Sequence, residues 1–256
     1  MLTYIPAAAY DFGYSWVWTS AHLIPLTLFT LLAVLAWRLQ WRRWLPALFA
    51  FFALWSLAGF LIVRFIAGLT EPMSLPTAAF LPNPEGRVLD LGAGSGRATL
   101  MVALARPRAR VIALDKFAEG YGIDGNRPDR LRANLETAGV AARVEIQSAD
   151  MRQLPFPDAS LDAALSAYAM DHLGRDGFRT ALAETARVLK PGGQFLFFTI
   201  NRDIYLKIAY PFLHGGYYGP RPAAERWRDA LTASGAFEIA EQGATPASLY
   251  FLARKR

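Results

Sequence analysis

The run Val88-Leu89-Asp90-Leu91-Gly92-Ala93-Gly94-Ser95-Gly96 is the stretch of this sequence best equipped for chemistry. A hydrophobic strand ends in a carboxylate, meets alternating glycines and leads into a helical pattern. Glycine has no Cβ, so such a loop turns tightly and lets its backbone approach a ligand. In parallel α/β sheets, ligands sit beyond the carboxyl ends of the strands, where the strand order reverses. A dinucleotide fingerprint, G-x-G-x-x-G, needs a third glycine where this chain has Arg97. A nicotinamide dehydrogenase is therefore disfavoured. About twenty residues beyond the loop, Asp115 closes the apolar run Val111-Ile112-Ala113-Leu114, and an acid there can accept both hydroxyls of a ribose.

The remaining pattern, D-x-G-x-G-x-G, resembles the first motif of class I S-adenosylmethionine-dependent methyltransferases. The resemblance covers about 170 residues and does not reach the first eighty; it gains specificity from three later features in order, Asp115, Ala149-Asp150-Met151 and Leu189-Lys190-Pro191-Gly192-Gly193. It implies S-adenosyl-L-methionine as the methyl donor, wrapped by Gly92, Ala93, Gly94 and Gly96, with Asp90 facing the ammonium of its methionine part. Asp115, with Lys116 beside it, belongs to the ribose. Asp150 accepts from the adenine amino group and Met151 packs on the base. The Pro-Gly-Gly turn is structural.

Chemistry on the acceptor falls to the segment Ser166-Ala167-Tyr168-Ala169-Met170-Asp171-His172-Leu173. By the resemblance it reaches both cofactor and substrate, with Ser166 on the cofactor side. Asp171 and His172 are candidate bases and equally candidates for capping the next turn; Tyr168 is more suited to lining a pocket than to reacting. Two further segments are candidates for the acceptor. One is Tyr210–Gly219, where His214, Tyr217 and Tyr218 bring aromatic faces for a lipophilic or cationic molecule and the glycines permit lid-like motion. The other is Glu119–Asn126, including Tyr121, too long for a plain turn.

These residues need a scaffold, and the pattern after residue 84 supplies one. Apolar strand runs at Arg87–Leu91, Arg110–Asp115, Arg143–Gln147, Leu161–Ser166 and Gln194–Ile200 alternate with helical stretches at Arg97–Ala105, Pro128–Thr137 and Phe178–Leu189. Alternation of this kind predicts a parallel sheet with crossover helices. A helix over Ala223–Ala233 and a closing antiparallel pair, Ala236–Glu241 with Ser248–Ala253, follow. The expected architecture is a Rossmann-like methyltransferase sheet over residues 85–256, parallel with an antiparallel C-terminal strand.

The first part of the chain is different. Residues 1–70 hold only Asp11, Arg38, Arg42, Arg43 and Arg64 as charges. Phe12–Trp37 and Trp44–Val63 are uncharged, and each reaches the roughly 20 residues a membrane-crossing helix needs. Trp16, Trp18, Trp37, Trp41 and Trp44 stand near their ends, where indole favours the membrane boundary. Met1–Tyr14 lacks a basic n-region and no A-x-A site precedes the domain, so a cleaved signal peptide is not expected. Residues 1–69 are therefore read as a membrane-associated helical hairpin, spanning or re-entrant, and 70–84, with Pro72, Pro76, Pro82 and Pro84, as a linker. The methyl donor is cytosolic, so the catalytic domain should face the cytoplasm. Two full spans would then put the Arg38–Arg43 link outside, against the positive-inside tendency.

The absence of cysteine excludes disulfides, thiolate metal sites and thiol nucleophiles. Three scattered histidines make a metal site unexpected. A net charge of +6 without a basic stripe, and no N/D-P-P-Y/F signature, disfavour nucleic acid. The expected function is methyl transfer to a lipophilic or amphipathic small molecule at a membrane: a lipid head group, a quinone-like ring or a related acceptor. A soluble small-molecule methyltransferase anchored or dimerised by the hairpin stays open, as does a non-catalytic cofactor-binding membrane partner.

Overall fold

The computed structural model describes residues 10–118, 123–211 and 222–256. Its centre is a seven-stranded sheet in the order β3-β2-β1-β4-β5-β7-β6. The strands are β1 (Arg87–Leu91), β2 (Arg110–Asp115), β3 (Val144–Ser148), β4 (Leu161–Ala167), β5 (Leu189–Ile200), β6 (Phe237–Thr245) and β7 (Ser248–Lys255). β1 to β5 pair in parallel, and β7 runs antiparallel to both β5 and β6. This is the Rossmann-like arrangement expected from the alternation of strand and helix signals. The order reverses between β1 and β4, which places a crevice at their carboxyl ends.

The central strands are apolar on both faces because helices cover both. On one side lie α4 (Arg97–Ala105) and α5 (Pro128–Thr137), packing Leu100, Met101 and Leu131 against Val88, Val111 and Leu165. On the other lie α6 (Gly174–Val188) and α8 (Ala223–Thr232), where Phe178, Phe195, Phe197, Trp227 and Phe251 form an aromatic core. Pro128 opens α5, where its missing N–H costs nothing.

Several bounds differ from the sequence reading. α6 begins at Gly174 rather than Phe178, because its first turn is polar and carries no apolar signal. A short helix, α7 (Ile204–Ala209), follows β5, capped by Asp203, whose carboxylate accepts from the Leu206 amide at 3.1 Å. The proline-rich stretch forms no helix or strand, yet it is a packed strap. Phe80 and Leu81 are buried, the Leu81 amide donates to Gln194 at 2.7 Å, and Thr77 donates to Glu241 at 2.6 Å.

At the amino-terminal end the expected single stretch Phe12–Trp37 divides. Residues 10–15 form no helix and pack against the domain, followed by α1 (Trp16–Ser20) and α2 (Leu23–Arg38). α3 (Trp44–Leu61) continues as a π-turn through Ile66 and packs along α2, with Phe29 stacked on Phe49 and Phe52. Among the described residues, one helix is long and apolar enough to cross a membrane, Trp44–Ile66, of mean hydropathy 2.1. Its 23 residues reach about 34 Å. The 16 residues of α2 reach about 24 Å, short of a hydrocarbon core of roughly 30 Å. Both helices turn apolar side chains outward, Leu31 at 63% exposure, Leu54 at 66% and Phe65 at 72% among them.

Phe197 is fully buried between Phe178, Trp227 and Phe251. Phe197→Ala should lower the unfolding free energy by about 3–5 kcal/mol, the range for deleting a core aromatic. Denaturant unfolding followed by tryptophan fluorescence measures it; a loss under about 1 kcal/mol would mean this aromatic cluster is not the core.

Candidate functional site

The loop after β1 is shaped by three left-handed glycines, Gly92 (φ +83°), Gly94 (φ +52°) and Gly96 (φ +93°). A Cβ on Gly92 would stand 2.2 Å from the Ala169 Cβ, and one on Gly96 would stand 2.3 Å from Leu131 Cδ1. Gly92 thus lets the segment after β4 close onto the loop, and Gly96 lets α5 approach α4. The Gly92 and Ala93 amides both donate to the Leu114 carbonyl, at 2.8 and 3.0 Å, tying the loop to β2. The Gly94 amide donates to Asp115 Oδ2 at 2.8 Å.

Asp90 is completely buried. Its Oδ2 accepts from Thr99 Oγ1 at 2.6 Å, while Oδ1 has no partner among the described residues. Burial pushes its carboxyl up to about 7; the Thr99 hydroxyl opposes the shift and nearby Asp115 adds to it. A buried carboxylate oxygen without a donor is costly, and a cationic ligand would satisfy it. Asn126 adds a second such acceptor: its Nδ2 donates to Asp115 Oδ1 and the Ala118 carbonyl, both at 3.3 Å, and its Oδ1 is buried without a partner among the described residues. Unpaired acceptors beside a cradle that a Cβ would fill suit the ammonium of an amino-acid ligand.

The other expected cofactor residues gather around this loop with more partners than the sequence indicates. Asp115 Oδ1 also accepts from the Phe117 amide. Lys116 reaches Asp150 at 3.1 Å, and Arg152 grips the same carboxylate at 2.7 Å. Arg152, with its own backbone amide and Lys116, holds the Asp150 carboxyl well below the usual range. Met151 lies over the glycine turn, its Cε 3.2 Å from where a Gly92 Cβ would be. Ser166 is buried; its hydroxyl donates to the Leu91 carbonyl at 3.0 Å and accepts from the Met170 amide at 3.2 Å, so it fastens β4 to β1.

Tyr168 has a left-handed backbone (φ +54°), a strained state for a non-glycine residue. Its half-buried phenol bonds Ser248, and burial pushes its pKa up. Asp171 lies in a 3₁₀ turn, Met170–His172, and is 7% exposed. Its Oδ2 accepts from Thr199 Oγ1 at 2.8 Å and its Oδ1 is buried without a partner among the described residues. Burial raises its carboxyl, with the neighbouring His172 opposing. His172 itself is exposed. Tyr121, His214, Tyr217 and Tyr218 lie outside the described residues. Thr99, Thr199 and Ser248 have no motif of their own in the sequence and gain roles only as partners of the acids and the phenol, whereas Asn126 closes the candidate segment Glu119–Asn126. No group of three or more metal-ligating side chains forms among the described residues.

Comparison with known proteins agrees with this geometry. Residues 88–193 match the family model described as a methyltransferase domain. A demethylmenaquinone methyltransferase of Clavibacter sepedonicus is 35% identical over 147 residues, 54% of this chain and 54% of that protein. An O-methyltransferase of Aspergillus nomiae is 30% identical over 143 residues, 56% and 57% respectively. The chain thus spans about half the length of these curated relatives. An S-adenosylmethionine-dependent methyltransferase structure from Methanosarcina mazei superposes with a TM-score of 0.51 at 20% identity, covering 72% of this chain and 99% of that one; at that identity the likeness speaks for the fold.

Two outcomes follow from the site. Gly92→Ala should abolish S-adenosylmethionine binding in calorimetry, because the added methyl meets Ala169; retention within tenfold would remove the loop from the site. Binding should also tighten as pH rises through about 7 and level off above, as Asp90 gains its charge. The same sign means that charging Asp90 destabilises the ligand-free fold, so its contribution to stability falls between about 4 and 7 and the ligand's stabilising effect grows. A flat affinity profile from pH 5.5 to 8.5 would contradict this role. Residues 88–193 match a methyltransferase domain, and the glycine cradle with the Asp90 oxygen that lacks a partner among the described residues suits the cationic amino-acid part of S-adenosylmethionine.

Proposed function

We propose that this chain is an S-adenosylmethionine-dependent methyltransferase acting on a hydrophobic or membrane-resident small molecule, with its catalytic face on the cytoplasmic side of a membrane. One observation carries the reading: α7, the short helix that follows β5, is clamped at its C-terminal end to the apolar helices. His22 Nε2 lies 2.6 Å from the Ala209 carbonyl, and Trp55 Nε1 donates to the Ile208 carbonyl at 3.0 Å. Gly59 of α3 permits this approach, since a Cβ there would stand 2.6 Å from His22 Cδ2. An acceptor held among apolar helices would therefore lie close to the site without crossing water. The demethylmenaquinone methyltransferase relative supports an acceptor of this solubility.

Bound S-adenosylmethionine supplies an electrophilic methyl group, and the protein's task is to align a nucleophile with it and remove its proton where it has one. Holding two reactants in line is worth up to ~7–11 kcal/mol in well-oriented systems. The elements at hand are the glycine loop, fixed by Leu114, and the segment after β4, pressed onto that loop at Ala169. Asp171 is the candidate base. Burial raises its proton affinity, Thr199 orients one oxygen, and the other oxygen has no partner among the described residues. Tyr168, raised by burial and bonded to Ser248, shapes the wall.

Membranes incubated with the full chain and isotopically labelled S-adenosylmethionine should yield a labelled lipid-soluble product by mass spectrometry. Label confined to water-soluble products would overturn the membrane acceptor. With that product as the assay, Asp171→Asn should lower kcat by roughly 10²–10⁴-fold, the usual contribution of a general base, with cofactor affinity unchanged. A loss below threefold would remove Asp171 as the base.

A further inference from the structure

Two short stretches flank the apolar helices, and both land on the rim of the glycine loop. Before α1, the Phe12 carbonyl accepts from Ser95 Oγ at 2.8 Å. The Asp11 amide donates to Asn134 Oδ1 at 2.9 Å, and the Asn134 amide group donates to the Asp11 carbonyl at 2.8 Å and the Ser95 carbonyl at 2.9 Å. The Gly13 carbonyl accepts from the Asp124 amide at 2.7 Å, and Asp11 pairs with Arg130 at 3.1 Å. The Phe12 ring is buried in the domain core.

After α3, the Arg97 guanidinium donates to the carbonyls of Ala67, Gly68 and Glu71 at 2.9, 2.8 and 2.8 Å. Ala67 caps the end of the long apolar helix and Gly68 and Glu71 follow it, so Arg97 holds the chain where it leaves that helix. The Tyr14 ring lies 6.0 Å from the same guanidinium, and the two feet meet there. Ser95 and Arg97 alternate with Gly94 and Gly96 along the loop, so displacing either foot displaces the cradle.

We propose that Ser95, Arg97 and Asn134 are positioning residues that couple the apolar helices to the cofactor cradle, so that docking of the two feet and binding of S-adenosylmethionine favour one another. The inference rests on the S-adenosylmethionine reading of the loop. Such coupling is reciprocal: whatever holds the helices in place tightens cofactor binding, and cofactor orders the feet by the same factor.

Hydrogen exchange of the full chain in detergent micelles tests the coupling without any variant. Saturating S-adenosylmethionine should slow exchange of the Asp11 and Asp124 amides by about fivefold or more, a modest coupling between sites. A merely structural role for the feet would leave that exchange unmoved. In calorimetry, Ser95→Ala and Arg97→Lys should weaken S-adenosylmethionine binding by about 5- to 20-fold, while Arg38→Gln at the far end of α2 leaves it unchanged. Exchange at the feet insensitive to cofactor, with both variants binding within twofold of the unmodified chain, would overturn the coupling and leave the cofactor reading intact. No binding by the unmodified chain would overturn the cofactor reading itself.

Discussion

A carboxylate buried from solvent sits near the end of the first strand, and much of the site is arranged about that fact. Asp90 is wholly buried, one oxygen bonded to Thr99 and the other unpaired. Its charge is tolerated near neutrality only at a cost, which appears as a carboxyl raised to about 7. A cation placed against its unpartnered oxygen would relieve that cost. The loop that follows must then come close to the ligand, which is why its glycines take left-handed angles that side chains resist.

The second constraint is proximity between chain segments far apart in sequence. Ala169 abuts Gly92 from the end of β4, Asp115 caps Gly94 from the end of β2, and Asn134 and Arg97 hold the feet of the apolar helices. The glycine loop is therefore walled by the sheet and also buttressed by a segment preceding it by some eighty residues, with Ser95 bonded to Phe12. A catalytic domain cut at the proline-rich stretch would lose this buttress, together with the packing of Phe80 and Leu81 if the cut fell beyond them.

Much of this was legible in the sequence, and the physical reasons differ by element. β1, α4, β2 and α5 have the bounds expected because each is a continuous apolar or periodic run bracketed by glycine, proline or a charge. The start of α6 and the short α7 were hidden, since polar first turns and six-residue helices carry too little periodicity. Asp90, Asp115 and Asp150 stand at the strand ends where the motif order put them. Their partners were not legible: Thr99 and Arg152 become meaningful only once a fold brings them to an acid. Lys116, expected at the cofactor, is turned to Asp150. The two feet were invisible because pairing such as that of Asp11 with Asn134 spans 123 residues and leaves no local pattern. Helix length also separated two stretches that composition made equal; among the described residues one helix, Trp44–Ile66, is long and apolar enough to cross a bilayer.

The most direct test of the account is a crystal structure of the full chain with S-adenosylhomocysteine. The ligand is expected on Gly92–Gly96 with its ammonium on the unpaired oxygen of Asp90. A ligand held elsewhere, or a loop that stays empty at saturating concentration, would contradict it.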